Sequence, residues 1–209
     1  GARPQLRTQA AQEALEFLRR LAADGAAIAP GARDLDSVKS GLLFCEGKVA
    51  LMCNWFGFAA LGERWEGSRI KGRIAVAPLP RGPGAGDTGR SVSLNVFWVL
   101  ALASGSRQKD LAWSFMRHIA TAAMDKVTTL EGAIGVRRCT WADPEINRLI
   151  PFFHELEVLH THACELPAHP RLADISHVID DMLARATSTS LPAAGLLAEA
   201  QARIEAILP

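Results

Sequence analysis

The chain holds 209 residues, 49% hydrophobic and 22% charged, with a formal net charge of +1. That length fills one large domain or two small ones, and the near-neutral balance leaves no electrostatic footprint for nucleic acid or an anionic membrane. No run approaches the roughly 18 apolar residues of a membrane span, and the opening GARPQLRTQAAQEAL lacks the apolar centre of a signal peptide, so the chain reads as cytosolic or as a piece of a longer protein.

Residues 9–24 place Ala11, Ala14, Leu15, Leu18, Leu21 and Ala22 at helical spacing and stop at Gly25. Asp36 or Ser37 caps a second predicted helix, which ends at Gly47. Val49–Cys53 is short, apolar and bounded by turn signals, the pattern of a buried strand. FGFAALGERW returns to helix. Arg73–Ala77 reads as another strand, closed by Pro78-Leu79-Pro80, and RGPGAGDTGR over 81–90 as a loop. Val96–Leu102 is a third predicted strand. Ser106 caps a helix through Trp113, Met116 and Ile119, and a further helix covers 122–131. Pro144 opens a helix at its first turn. Residues 151–165 are helical and rich in histidine; helices over about 171–186 and 193–208 close the chain. Helices with few short strands between them give an α/β or α+β class with a small sheet.

Cys45, Cys53, Cys139 and Cys164 are scattered with no CxxC pair. Cys53, inside an apolar run, reads as a core residue, and a disulfide between two of the four stays open. Five of the six histidines lie between 154 and 177. His160-x-His162-x-Cys164 suggests a metal site only if extended, because residues two apart on a helix point away from one another. Leu156, Leu159 and Ala163 favour helix there. No G-x-S-x-G, P-loop or HExxH motif is present, so nothing supports an enzyme.

The strand Val49–Cys53 ends in Asn54-Trp55. In open α/β sheets, ligands sit beyond the carboxyl ends of strands. An indole offers a flat apolar face, and an amide offers two donors and an acceptor in one plane. Together they suit a sugar ring. The alternative is a core Trp55 with Asn54 capping the next helix. The spacing leaves both readings open.

The order of features resembles the C-terminal half of the family 1 extracellular solute-binding proteins, the sugar-type periplasmic receptors of ABC importers that include maltose-binding protein. The resemblance spans nearly the whole chain. It rests on FCEGKVALMCNW, a strand ending in PLP, the glycine-rich loop, VFWVLALASGSRQKDLAWSFMRHI, and EGAIGVRR before an Asp-Pro, followed by the two closing helices. It implies a type II periplasmic-binding-protein-like α/β fold, helix-rich, with an incomplete N-terminal lobe. Residues 1–90 would begin the C-terminal lobe, 91–130 would belong to the N-terminal lobe, and 131–209 would return. It further implies a non-enzymatic, periplasmic receptor without cofactor or metal, binding a small carbohydrate or polyol and serving an ABC permease. The ligand set it implies is Asn54 and Trp55, Asn95 from SLNVFW, Glu131 and Gly132 in the turn after a helix, and Arg171 and Ser176 at the start of the 171–186 helix. Trp98 reads as strand core. HPRLADISHV holds no aromatic where the family commonly stacks one on sugar, which favours a small solute over a long glucan. The bare edge near 96–102 invites a homo-oligomer. The competing reading is a histidine-rich metal-binding or protein-interaction domain.

Overall fold

A computed structural model of the chain describes residues 4–82 and 91–208. They form two compact units: residues 4–32 with 166–208, and residues 33–81 with 91–165.

The first unit is a three-helix assembly of α1 (Gln9–Ala23), α9 (Leu172–Ser188) and α10 (Ala193–Ile207); the elements between α1 and α9 belong to the second unit. Thr8 starts α1 by accepting from Ala11 N at 3.1 Å, which satisfies one of the donors left open at a helix start. Leu15 of α1 packs on Ile175, Val178 and Met182 of α9 and on Leu196, Leu197 and Ile204 of α10. Fully burying each of these side chains contributes about 1.5–3 kcal/mol. Two polar clamps accompany this core. Gln201 is buried; it accepts from Leu6 N at 2.7 Å and donates to Pro4 O at 3.1 Å. Arg19 donates from Nε to Ala186 O at 3.0 Å, supplying a cation near the carbonyl end of α9.

The second unit opens with α2 (Ser37–Cys45) and α3 (Phe56–Arg64). Asp36 caps α2, accepting from Lys39 N at 2.7 Å, and Gly47 leaves it at φ +72°. A Cβ added to Gly41 would stand 2.2 Å from Phe58 Cδ1, so a side chain there would push the two helices apart. β1 (Ser93–Leu94) follows, then α4 (Lys109–Ile119), α5 (Ala122–Leu130), α6 (Arg138–Trp141), α7 (Pro144–Leu149), α8 (Leu156–Thr161) and β2 (Ala163–Cys164). Pro144 sits in the first turn of α7 behind the Asp143 cap. The core gathers Ala59, Ala60, Ile146, Ile150, Phe152 and Phe153. Phe56 meets Phe152 and Phe153 edge-on at centroid distances of 5.8 and 5.5 Å.

The predicted strands change most. Among the described residues the only ladder is the two-residue parallel pair Ser93–Ala163 and Leu94–Cys164. Val49–Cys53, Arg73–Ala77 and Val96–Leu102 are not strands. An apolar run becomes a strand only when a neighbour takes its N–H and C=O groups, and these runs have no ladder partner among the described residues. Trp98, expected in a core, is 94% exposed; Val99 and Phe97 are exposed beside it. Ser106 does not cap α4, which starts at Lys109 after Gln108. The histidine-rich stretch breaks into a 3-10 turn, α8 and β2 instead of one helix. Cys45, not Cys53, is the buried cysteine, and its burial pushes the thiol pKa up; the four cysteines are free. Residues 83–90, most of the expected glycine-rich loop, lie outside the described residues.

Candidate functional site

Asn54 lies at a bend between α2 and α3. Its Nδ2 donates to Ser37 O at 2.8 Å and to Ser40 Oγ at 3.1 Å, and its Oδ1 accepts from Trp55 N at 2.7 Å. Both amide protons are therefore engaged within the chain. Asn54 fastens the approach to α3 onto the first turn of α2. Trp55 is the N-cap residue of α3 in extended conformation, and no side chain caps the helix. Its indole is 45% exposed. A half-exposed indole thus stands beside the open N–H groups of a helix start.

The turn after α5 abuts this place. A Cβ on Gly57, in the first turn of α3, would meet Ile134 Cδ1 at 3.2 Å, and Arg64 Nε donates to Leu130 O at 3.1 Å. The helix that Trp55 opens therefore packs against the turn after α5 within the second unit. Gly132 has φ +102°. Its N–H donates to Thr129 O and that of Ala133 to Thr128 O, both at 3.0 Å. This is the hydrogen-bond pattern of a Schellman stop. Those two amides are spent on closing α5, and the turn leaves the Glu131 and Val136 side chains exposed while Ile134 meets the first turn of α3.

The other predicted residues are placed differently. Asn95 follows β1; its N–H donates to Cys164 O at 2.8 Å and its side chain is half-buried. Arg171 and Ser176 belong to the first unit. Arg171 donates from Nε to Asp174 Oδ2 at 2.5 Å, and Ser176 is exposed on α9 between the core residues Ile175 and Val178. Three of the histidines are engaged singly. His160 lies against Trp141 at 5.7 Å, His154 Nδ1 sits 3.0 Å from Asn147 Oδ1, and His162 Nδ1 sits 3.3 Å from Ser91 O. Among the described residues no group of three or more His, Cys, Asp or Glu side chains is placed to hold a metal. Sequence reasoning passed over Asp125 and the hydrogen bond of Trp141, which hold the turn from within. An aspartate inside an amphipathic helix gives no signal that distinguishes it from a solvated one.

An exposed apolar ring face beside open helix amides suits a neutral solute with both C–H faces and hydroxyls. No family model matches the chain. Over 123 residues it is 32% identical to a probable ABC transporter-binding protein of Deinococcus radiodurans, a stretch that is 58% of this chain and 28% of that one. It superposes over 100% of its length on 53% of the maltose-bound MalE3 of T. maritima, with a TM-score of 0.88 and 23% identity. An ABC transporter solute-binding protein of Agrobacterium radiobacter K84 in complex with ribitol gives a TM-score of 0.82 at 19% identity, over 99% of this chain and 51% of that one. The fold is that of the type II periplasmic binding proteins. The binding-protein fold explains a helix-rich α/β chain with short strands. The chain spans about half the length of these solved relatives and 28% of the curated one. No helix among the described residues is long and apolar enough to cross a membrane.

Proposed function

We propose that the chain is part of a solute-binding receptor of an ABC importer and takes a small carbohydrate or polyol without chemically altering it. The single observation behind this reading is the half-exposed Trp55 at the uncapped start of a helix whose first turn meets Ile134 of the turn after Glu131, in a chain with the binding-protein fold. Trp55 covers the C–H face of the solute. The first amides of α3 donate to hydroxyl oxygens, and the Glu131 carboxylate accepts from hydroxyl protons. Asn95 is a further contact in the same unit. Asn54 is engaged within the chain and contributes by fastening the approach to α3. The proteins with the same fold were solved with maltose and with ribitol, which supports a solute of that size and kind. In this proposal the receptor works in the periplasm and delivers to a permease. α4 buries none of its residues, which fits a helix that meets another part of such a receptor.

The test is a tryptophan-fluorescence titration with ribitol, glucose and maltose, repeated with a chelator present. The proposal expects a saturable change that the chelator leaves alone. A response abolished by chelation would favour the metal-binding reading, and no response to any of the three would overturn the carbohydrate one.

A further inference from the structure

We infer that Asp125 is the positioning residue for the solute site: it sets the shape of the turn from Glu131 to Arg137 and so, through the helix that Trp55 opens, the affinity of that site. This rests on the function proposed above. Asp125 is 7% exposed, an unusual place for a carboxylate. No cation pairs with it among the described residues. Instead its oxygens accept from Val136 N at 3.0 Å, Arg137 N at 3.3 Å and Thr140 Oγ1 at 2.5 Å. Its own carbonyl accepts from Thr129 Oγ1 at 2.7 Å. Backbone N–H groups directed at an ionised carboxylate are among the stronger hydrogen bonds available to a protein.

The three carboxylate bonds act on one segment only. Asp125 sits in α5, before the turn, and Val136, Arg137 and Thr140 lie after it. The carboxylate therefore fixes where the chain leaves the turn, while the Schellman stop at Gly132 fixes where it enters. Trp141 adds a third tie, donating from Nε1 to Gly135 O at 2.5 Å. Gly135 is enclosed: an added Cβ would lie 2.5 Å from Thr140 Cγ2, 2.7 Å from Thr129 Oγ1 and 3.0 Å from Asp125 Oδ2. The turn is thus tied at entry and exit, with Ile134 directed onto the first turn of α3. A turn held so firmly needs no reordering when a solute arrives, and preorganisation of that kind raises affinity by lowering the ordering cost of binding.

The test compares the wild-type full chain with Asp125→Asn and with Trp141→Phe, which removes a single donor and leaves the carboxylate cluster intact. Arg185→Gln in the first unit is the control, since it loosens an exposed ion pair with Glu199 away from the turn. Two readouts are taken: amide exchange at Val136 and Arg137 without solute, and affinity for ribitol and maltose by calorimetry. Asp125→Asn should raise exchange at those two amides and weaken binding, each on the order of tenfold or more, because amide protons would face an NH2 group or a weaker acceptor. Trp141→Phe should give a smaller change in the same direction, and Arg185→Gln none. Unchanged exchange in Asp125→Asn overturns the lock itself. Raised exchange with unchanged affinity overturns the positioning role. A wild-type chain that binds neither probe while showing the expected exchange pattern overturns the proposed function, and the positioning role with it, but leaves the lock standing.

Discussion

Replacing Trp55 by alanine separates a ligand platform from a core residue, and the structure sets the size of each outcome. A tryptophan buries about 200 Å² when enclosed. At 45% exposure Trp55 withdraws about 110 Å² from water, which at about 25 cal/mol per Å² is at most about 2.8 kcal/mol. Phe153, with 0% exposure and the Phe56 ring against it at 5.5 Å, is the internal reference; its truncation should cost about 3–5 kcal/mol. Urea denaturation of Trp55→Ala and Phe153→Ala, followed by far-ultraviolet circular dichroism, should therefore show the smaller loss for Trp55. Calorimetry on the same Trp55→Ala protein should show affinity for ribitol or maltose reduced on the order of 30-fold or more, the scale of a contact hot spot. A loss of stability matching that of Phe153→Ala, with affinity unchanged in the protein that remains folded, would make Trp55 a core residue and not a platform.

Gly41→Ala should destabilise by about 1–3 kcal/mol through overpacking, because its Cβ would stand 2.2 Å from Phe58 Cδ1; Gly195→Ala in α10, with nothing within 4 Å, should stabilise by about 0.5–1 kcal/mol, and denaturation midpoints check both. Lys126 sits 2.9 Å from both Asp143 and Glu145 and holds the Asp143 carboxyl below its ordinary range. A depressed folded-state pKa contributes stability that is present above the unfolded value near pH 4 and is lost as pH falls through the lower folded one. Lys126→Met should therefore flatten the acid side of the stability–pH curve, measured by denaturation from pH 2 to 7. The 209-residue chain should self-associate with rising concentration in sedimentation, through the exposed run of Phe97, Trp98 and Val99. Placing lysines there as Trp98→Lys and Val99→Lys should reduce association, and a wild-type monomer at every concentration would count against this use of the surface.

Helices were legible in the sequence because their signals are local. Asp36 before an apolar repeat, Gly47 and Gly132 after one, and Pro144 behind Asp143 each act within a few residues, and all four do in the structure what their positions predict. Strands were not, because Val49–Cys53 and Val96–Leu102 have strand composition but a strand also needs a neighbour, which composition does not supply. Trp98 was misplaced for the same reason: a strand core requires layers over both faces. Asn54 and Trp55 read as a pair in the sequence, yet the structure divides their roles, since the amide reaches back to Ser37 and Ser40 in α2. That reach spans 14 to 17 residues and depends on how α2 and α3 pack, which Gly41 decides. Asp125 was invisible because its partners, Val136, Arg137 and Thr140, lie beyond a turn whose path is itself a result of folding.

The proposed site takes a small polyhydroxylated solute around Trp55. Calorimetric titration of the full chain with ribitol and with glucans of one to six rings tests it most directly. Saturable binding is expected of ribitol or of the one- or two-ring sugars, with no further gain in affinity as rings are added, because one indole covers the C–H face of one ring. Affinity that keeps rising from two rings to six, or the absence of binding to every member of the series, would contradict it.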